Sequence, residues 1–294
     1  MKNHTDIKSS TQSKRLLIDK TVFLIVCIGA ALNAIPLLGI LGKVFIQGYD
    51  QFSWSFFTEP TPTAYKAMLA ITEGRPIPGG IANGIIGTME ILTMAILAAV
   101  PIGILCGVYL AENRKKKFAK FVSYITDLLQ GTPSVIFGII VYVWVVVPMK
   151  GYSAIAGSVA LAIMMLPLII RSTEETMRIL PDSLKEAGLA LGGTDARVML
   201  HIQLPAAFGG IFTGILLAIS RVIGETAPLM FTALGCSVIR WRIDQPVSAV
   251  PLQIWEFFND PYLQDLVWGA SLFLLVFVLL LNLIAKYLTR KWKS

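Results

Sequence analysis

The chain has 294 residues, of which 55% are hydrophobic and 15% charged, and it carries a formal net charge of +7. A chain this apolar cannot hide its apolar surface in one soluble core, so the composition places it in a bilayer. The positive charge does not indicate nucleic acid, because the basic residues cluster beside long apolar runs, where topology and anionic lipid account for them.

Residues 1–20 form a polar, basic tail (Lys2, Lys8, Lys14, Arg15, Lys20). The apolar run that follows, about 21–42, is of spanning length and exceeds the core of a signal peptide. Asn33 and Pro36 bend or polarise its outer half. An outer loop over 43–84 mixes Trp54, Phe56 and Phe57 with Pro60, Pro62, Pro76 and Pro78, too polar to span and too aromatic for a plain linker. The second span, about 85–110, holds Glu90 near its start and Pro101 inside, and the basic block Arg114 to Lys117 with Lys120 follows. The third, about 122–147, contains DLLQGTPS (Asp127 to Ser134), where Gly131 and Pro133 predict a kink or an unwound turn. The fourth runs from about 153 to 170, the fifth from about 206 to 235 and the sixth from about 266 to 285. A polar stretch over 171–205 separates the fourth from the fifth, and a second outer loop over 236–265 precedes the sixth. The expected fold is all-α and integral to the membrane, with six transmembrane helices.

Most of the 25 Lys and Arg residues lie in the N-terminal tail, the 111–121 loop, the 171–205 stretch and the C-terminal tail. By that asymmetry both termini and the polar stretch face the cytoplasm. Cys27, Cys106 and Cys236 lie in or beside apolar spans without CxxC spacing and read as small hydrophobes.

The polar stretch has internal design. Ser183 with Glu186 fits a capping box. Leu184, Ala187, Gly188 and Leu191 then give one apolar stripe at helical spacing. Gly192-Gly193 is a stop, Thr194 can cap a second short helix carrying Val198, Met199 and Ile202, and Pro205 interrupts that helix. Helices of two or three turns are marginal in water, so this pair leans on another surface.

Glu186-Ala187-Gly188, three residues, Gly192, nine residues, Ile202, one residue and Leu204-Pro205 resembles the EAA loop of ABC importer permeases, with Gly188 departing at the third letter. The resemblance implies a coupling helix that docks on an ATP-hydrolysing subunit. Over nearly its whole length the chain is similar to phosphate importer permeases of the PstA type, through LLQGTPSVIFG and SRVIGETAPLMFTALG (Ser220 to Gly235). That resemblance implies a bacterial inner-membrane permease forming half of a pathway for inorganic phosphate. Its implied partners are a homologous permease (PstC-like), an ATPase dimer (PstB-like) and a periplasmic or lipid-anchored phosphate-binding protein (PstS-like). No cofactor is expected in this chain. There is no GxxxxGK[ST], so ATP with Mg is bound by the partner ATPase.

Within the fifth span, Arg221 requires a partner or a wet cavity. Glu225 is four residues on, on the same helical face, and Gly210, Gly214 and Ala218 continue that face as a small-residue ladder. Pro228 opens the helix just beyond the pair. Two readings stand. In one, Arg221 offers a bidentate fork to phosphate and Glu225 accepts from a protonated phosphate oxygen, which disfavours sulfate. In the other, the two form a buried ion pair that holds the bundle. Glu90 and Asp127 are weaker candidates near span ends. Other functions open at this stage are a permease for sulfate or molybdate and a stand-alone secondary transporter. With His4 and His201 as the only histidines and no HExxH, an enzyme has little to stand on.

Overall fold

A computed structural model describes the backbone of residues 4–291 and the side chains of 16, 18–284, 286 and 287. The basic side chains of Lys2, Lys8, Lys14, Arg15, Arg290, Lys291 and Lys293 fall outside these. The chain folds into helices α1 (His4–Tyr49), α2 (Trp54–Thr58), α3 (Ala64–Thr72), α4 (Ala82–Glu112) and α5 (Lys117–Gly131). After them come α6 (Ser134–Met149), α7 (Ala154–Ile179), α8 (Asp182–Ala190) and α9 (Asp195–Val222). The last three are α10 (Ala227–Thr232), α11 (Val250–Asn259) and α12 (Gln264–Lys291). Among the described residues, five helices are long and apolar enough to cross a membrane, or six if the bent pair of α5 and α6 is one span. The all-α fold expected from the sequence is the one found.

α7 is the centre post. Ser153 caps it by accepting the Ala156 N–H at 3.1 Å. α4 lies against one side, where a Cβ on Gly103 would meet Ile169 at 2.6 Å and one on Gly107 would meet Thr173 at 2.6 Å. α9 lies against the other, where a Cβ on Gly214 would lie 1.8 Å from Ser172 Oγ and one on Gly210 would lie 2.4 Å from Thr176. The small-residue ladder therefore does what its spacing indicated, bringing two backbones together. The main core joins these helices through Ile91, Ala95, Met165, Ala218, Val222 and Leu229. α7 runs to Ile179, nine residues past the expected end, because the charges of RSTEETMR pair along one helical face instead of ending the helix.

The third span is broken as its Gly and Pro indicated. α5 and α6 meet at 107°, and Thr132, held extended before Pro133, makes the corner. Two other prolines are absorbed differently. Before Pro148 and before Pro205 the helix widens by one residue per turn, so that Val147 N–H reaches the Tyr142 carbonyl and Leu204 N–H reaches the Met199 carbonyl. Pro205 thus does not interrupt the helix, contrary to the sequence reading; α9 continues through it.

On the face opposite the 180–194 loop, the segment between α1 and α4 folds onto the bundle. Thr61 donates through N–H and hydroxyl to Asn83 Oδ1 at 3.0 and 3.1 Å. Gln253 Nε2 reaches both at 2.8 and 2.9 Å, and Asn83 Nδ2 donates to the Cys236 carbonyl at 2.6 Å. α1 stands outside the bundle and rests on α12, with Gly48 against Trp268 and the Lys43 ammonium 4.9 Å from the Trp268 ring centre.

A side chain at Gly214 must push α9 off α7, whereas one at Gly209 meets nothing within 4 Å. Gly214→Leu is therefore expected to cost about 1–3 kcal/mol or more by overpacking. Thermal unfolding in detergent should show a lower midpoint for Gly214→Leu than for Gly209→Leu.

Candidate functional site

The loop between α7 and α9 is built from two short helices at a sharp corner. α8 starts two residues earlier than a Ser183 cap implies, at Asp182, with Pro181 at the cap and no side-chain cap bond. The Ser183–Glu186 capping box is therefore not formed: Pro181, whose missing N–H costs nothing at a helix start, sets the entry instead. The exit is the expected one. Gly192 adopts φ +83°, its N–H reaches the Leu189 carbonyl at 2.9 Å, and the Gly193 N–H reaches the Gly188 carbonyl at 3.2 Å. This is a Schellman stop, and the left-handed residue in it favours glycine. Thr194 caps α9 by accepting the Arg197 N–H at 3.4 Å.

The expected stripe divides. Gly188 is buried, and a Cβ there would lie 2.9 Å from both Val198 and Ile202, so the departure from Ala at this letter has a local cause in packing. Leu184 and Ile202 are half-buried on the same inner side. Ala187 and Leu191 face outward with Glu186; Leu191 is 88% exposed. Leu204 and Pro205 lie at the widened turn, Leu204 half-buried and Pro205 exposed. Lys185 ties α8 to the end of α4 through Glu112 at 2.5 Å and to the start of α9 through Asp195 at 3.7 Å. The hydrogen bond to Glu112 holds the Lys185 amine above its usual pKa.

The fifth span differs from its expected form. α9 ends at Val222, residues 223–226 are not helical, and Pro228 begins the separate short α10. Glu225 N–H turns back to the Val222 carbonyl at 3.1 Å, and Thr226 Oγ1 reaches the Pro251 carbonyl at 3.4 Å. Arg221 and Glu225 therefore do not share a helical face. The physical reason is that Gly224, a weak helix former, and Pro228, which fits a helix start, cooperate to end one helix and begin another. Arg221 is exposed on this chain and Glu225 half-buried, and no ion pair joins them among the described residues. The buried-pair reading is overturned.

The buried charges lie elsewhere. Glu174, 2% exposed at its side chain, is held by Arg171 Nη1 at 2.5 Å and by Arg178. Arg171 also reaches Asp127 at 2.9 Å and the Ser123 carbonyl and hydroxyl at 2.9 and 2.8 Å, clamping α5 to α7. Asp127 is thus one end of a network and its own side chain is largely exposed. Arg171, Glu174 and Arg178 were not singled out from the sequence; their i, i+3 and i+7 spacing was the available signal. Glu90 lies about two turns into α4, and its buried Oε2 has no hydrogen-bond partner among the described residues.

The family described as "Binding-protein-dependent transport system inner membrane component" matches residues 99–294. The chain belongs to this family. It is 39% identical to the phosphate transport system permease protein PstA of Yersinia pestis, over 87% of this chain and 85% of that one. It is 34% identical to PstA of Haemophilus influenzae, over 84% and 85%. It is 32% identical to the probable PstA of Methanocaldococcus jannaschii, over 93% and 94%. A solved bacterial alginate ABC transporter shares the fold with a TM-score of 0.61 at 14% identity, covering 98% of this chain and 96% of that one. The MetNI methionine ABC transporter does so at 0.59 and 20%, covering 70% and 94%. The family member is a multi-pass inner-membrane component of an ABC importer, not an enzyme, and such a component works with a binding protein and a separate ATPase.

Glu256, on α11, is a half-buried carboxylate without a sequence signal. Its carboxylate lies against Gly235 (φ +89°), where a Cβ would be 1.9 Å from Oε1, and it has no hydrogen bond or ion pair among the described residues. Burial pushes it up to about 7. The folded state then holds a proton that the unfolded chain releases near the ordinary value of 4.5. The stability this contributes is full below about pH 4.5 and is lost as pH rises through about 7. Glu256→Gln is expected to flatten the fall of the unfolding midpoint across that window and to raise the midpoint at pH 8, read by thermal unfolding at stepped pH.

Proposed function

We propose that this chain is the permease subunit that carries inorganic phosphate inward, forming one half of the pathway beside a homologous PstC-like permease. Two PstB-like ATPase copies dock on the loop side, and a PstS-like phosphate-binding protein delivers substrate to the opposite face. Both termini and the 180–205 loop lie in the cytoplasm, with residues 43–84 and 236–265 outside, in accord with the distribution of basic residues.

The observation that carries the pathway reading is Arg221: exposed, without an ion pair among the described residues, and next to the non-helical segment 223–226. Non-helical backbone at membrane depth is tolerated where it is buried in protein or lines water. An unpaired arginine there costs several kcal/mol unless water, substrate or a second subunit covers it. Its planar fork suits a tetrahedral oxyanion, and Glu225 on the adjoining turn accepts from a protonated phosphate oxygen that sulfate lacks at neutral pH. The names borne by the relatives of 32–39% identity support phosphate over other oxyanions.

Uptake of labelled phosphate by vesicles carrying the whole complex tests this. Arg221→Lys is expected to lower uptake at least tenfold, since an ammonium does not reproduce two parallel hydrogen bonds. Glu225→Gln is expected to narrow the preference for phosphate over sulfate. Full uptake with unchanged selectivity in both variants removes these residues from the pathway.

The outward face of α8, with Glu186, Ala187 and the exposed Leu191, is the surface that enters the ATPase. Leu191→Asp is expected to uncouple the complex, with ATPase subunits lost on purification. Retention of the ATPase and normal uptake by that variant would count against docking through α8.

A further inference from the structure

A polar cavity of about 460 Å³ lies behind the coupling helix, between α8 and the ends of α4 and α7. Glu112, Arg114, Arg178, Asp182, Lys185 and Gln203 line it. Gln203 sits in the widened turn ahead of Pro205 and is 7% exposed, and its Oε1 is buried with no hydrogen-bond partner among the described residues. A buried acceptor left unmet costs free energy, and such an atom at a cavity wall marks a place for a donor. Of the charged groups, Glu112 is neutralised by Lys185 and Arg178 is tied to Glu174, while Arg114 makes no ion pair among the described residues.

We propose that this cavity binds a phosphate group that carries a proton, with its hydroxyl donating to Gln203 Oε1 and its charged oxygens accepting from Arg114 and from the free N–H groups of Arg178. With Arg178 tied to Glu174 and Lys185 to Glu112, the charge that draws an anion to the wall is that of Arg114. The acceptors on the wall, Gln203 and Asp182, favour an oxyanion with a proton to give, and so hydrogenphosphate or a phosphomonoester over sulfate. The site is separate from Arg221, which lies at the far end of α9, about sixteen residues or 24 Å beyond Pro205. An occupant would touch the bundle (Arg114, Arg178) and the coupling element (Asp182, Gln203) at once, and would hold their spacing fixed. Free phosphate arriving at the cytoplasmic face is one source of this group, and the headgroup of a phosphatidic lipid at the membrane surface is the other. The inference rests on the cytoplasmic placement of the loop given above.

Hydrogen exchange of the complete complex in nanodiscs tests it. One arm uses phosphatidylcholine discs with added inorganic phosphate or sulfate, and the other uses discs containing phosphatidic acid without free phosphate. Slower exchange over residues 180–205 is expected with inorganic phosphate or with phosphatidic acid, and not with sulfate. Whichever arm responds names the source. The apparent affinity is expected to fall about tenfold in Gln203→Met and in Arg114→Gln, each removing one hydrogen bond to a charged ligand. No change in either arm, equal protection by sulfate, or undiminished protection in both variants overturns the inference. Labelled-phosphate uptake by the same wild-type complex keeps the two readings apart: uptake without protection sinks this site alone, and absence of uptake sinks the proposed function.

Discussion

Everything in the bundle is arranged around the close approach of two helices to opposite sides of α7. Van der Waals packing, not the hydrophobic effect, holds helices together within lipid, and it is strongest where backbones come near each other. α7 meets Gly103 and Gly107 of α4 on one side and Gly210 and Gly214 of α9 on the other. The same helix carries Arg171, Glu174 and Arg178, so its loop-side end is held by charge where its middle is held by contact. Removing one partner of the buried Glu174 pairs costs about 3–5 kcal/mol, whereas the link from Arg171 to the largely exposed Asp127 on α5 is worth at most about 1 kcal/mol.

That rigid seam determines what is free to move. α8 is joined to the bundle by few links: Lys185 to Glu112 and Asp195, and Gly188 against Val198 and Ile202. The exposed ion pairs among these are worth little, at most about 1 kcal/mol each. The contact through Gly188 is with the start of α9 itself, so α8 and the first turns of α9 pack as one unit. The glycine at the third motif letter is then a joint in the lever, because a larger residue would have to displace Val198 and Ile202 first.

Much of this was legible in the sequence, and the failures have definite causes. The all-α character with up to six apolar helices, the kink at Gly131-Thr132-Pro133, the Gly192 stop, the Thr194 cap and the Gly210–Gly214 ladder all depend on local chemistry and are found as expected. The end of α7 was placed nine residues early, since a hydropathy boundary records where charge begins and not where the helix stops. The four-residue spacing of Arg221 and Glu225 puts them on one face only in an unbroken helix, and Gly224 with Pro228 breaks it. Pro205 by itself predicts an interruption, whereas a single turn widened by one residue carries the helix past it. Glu256 and Gln203 had no signal at all in one dimension, as their significance is burial without a partner.

The broken fifth span ties these parts to transport. α9 begins at the coupling loop, is pressed along α7 by its glycine ladder, and ends at Arg221. A continuous helix through Thr232 would carry any displacement on into the outer half and would bury Arg221 and Glu225 against each other. The break at 223–226 instead decouples α10, which is anchored separately: Ser153 N–H reaches the Thr232 carbonyl at 3.1 Å and Gly138 packs on Pro228. On the coupling proposed for α8, a push there would arrive at Arg221 against an outer half anchored elsewhere, and the guanidinium would shift relative to the turn holding Glu225. Relative motion of those two groups is what a site must do if it is to bind an oxyanion from one side and release it to the other, because an equal shift of both would leave affinity unchanged.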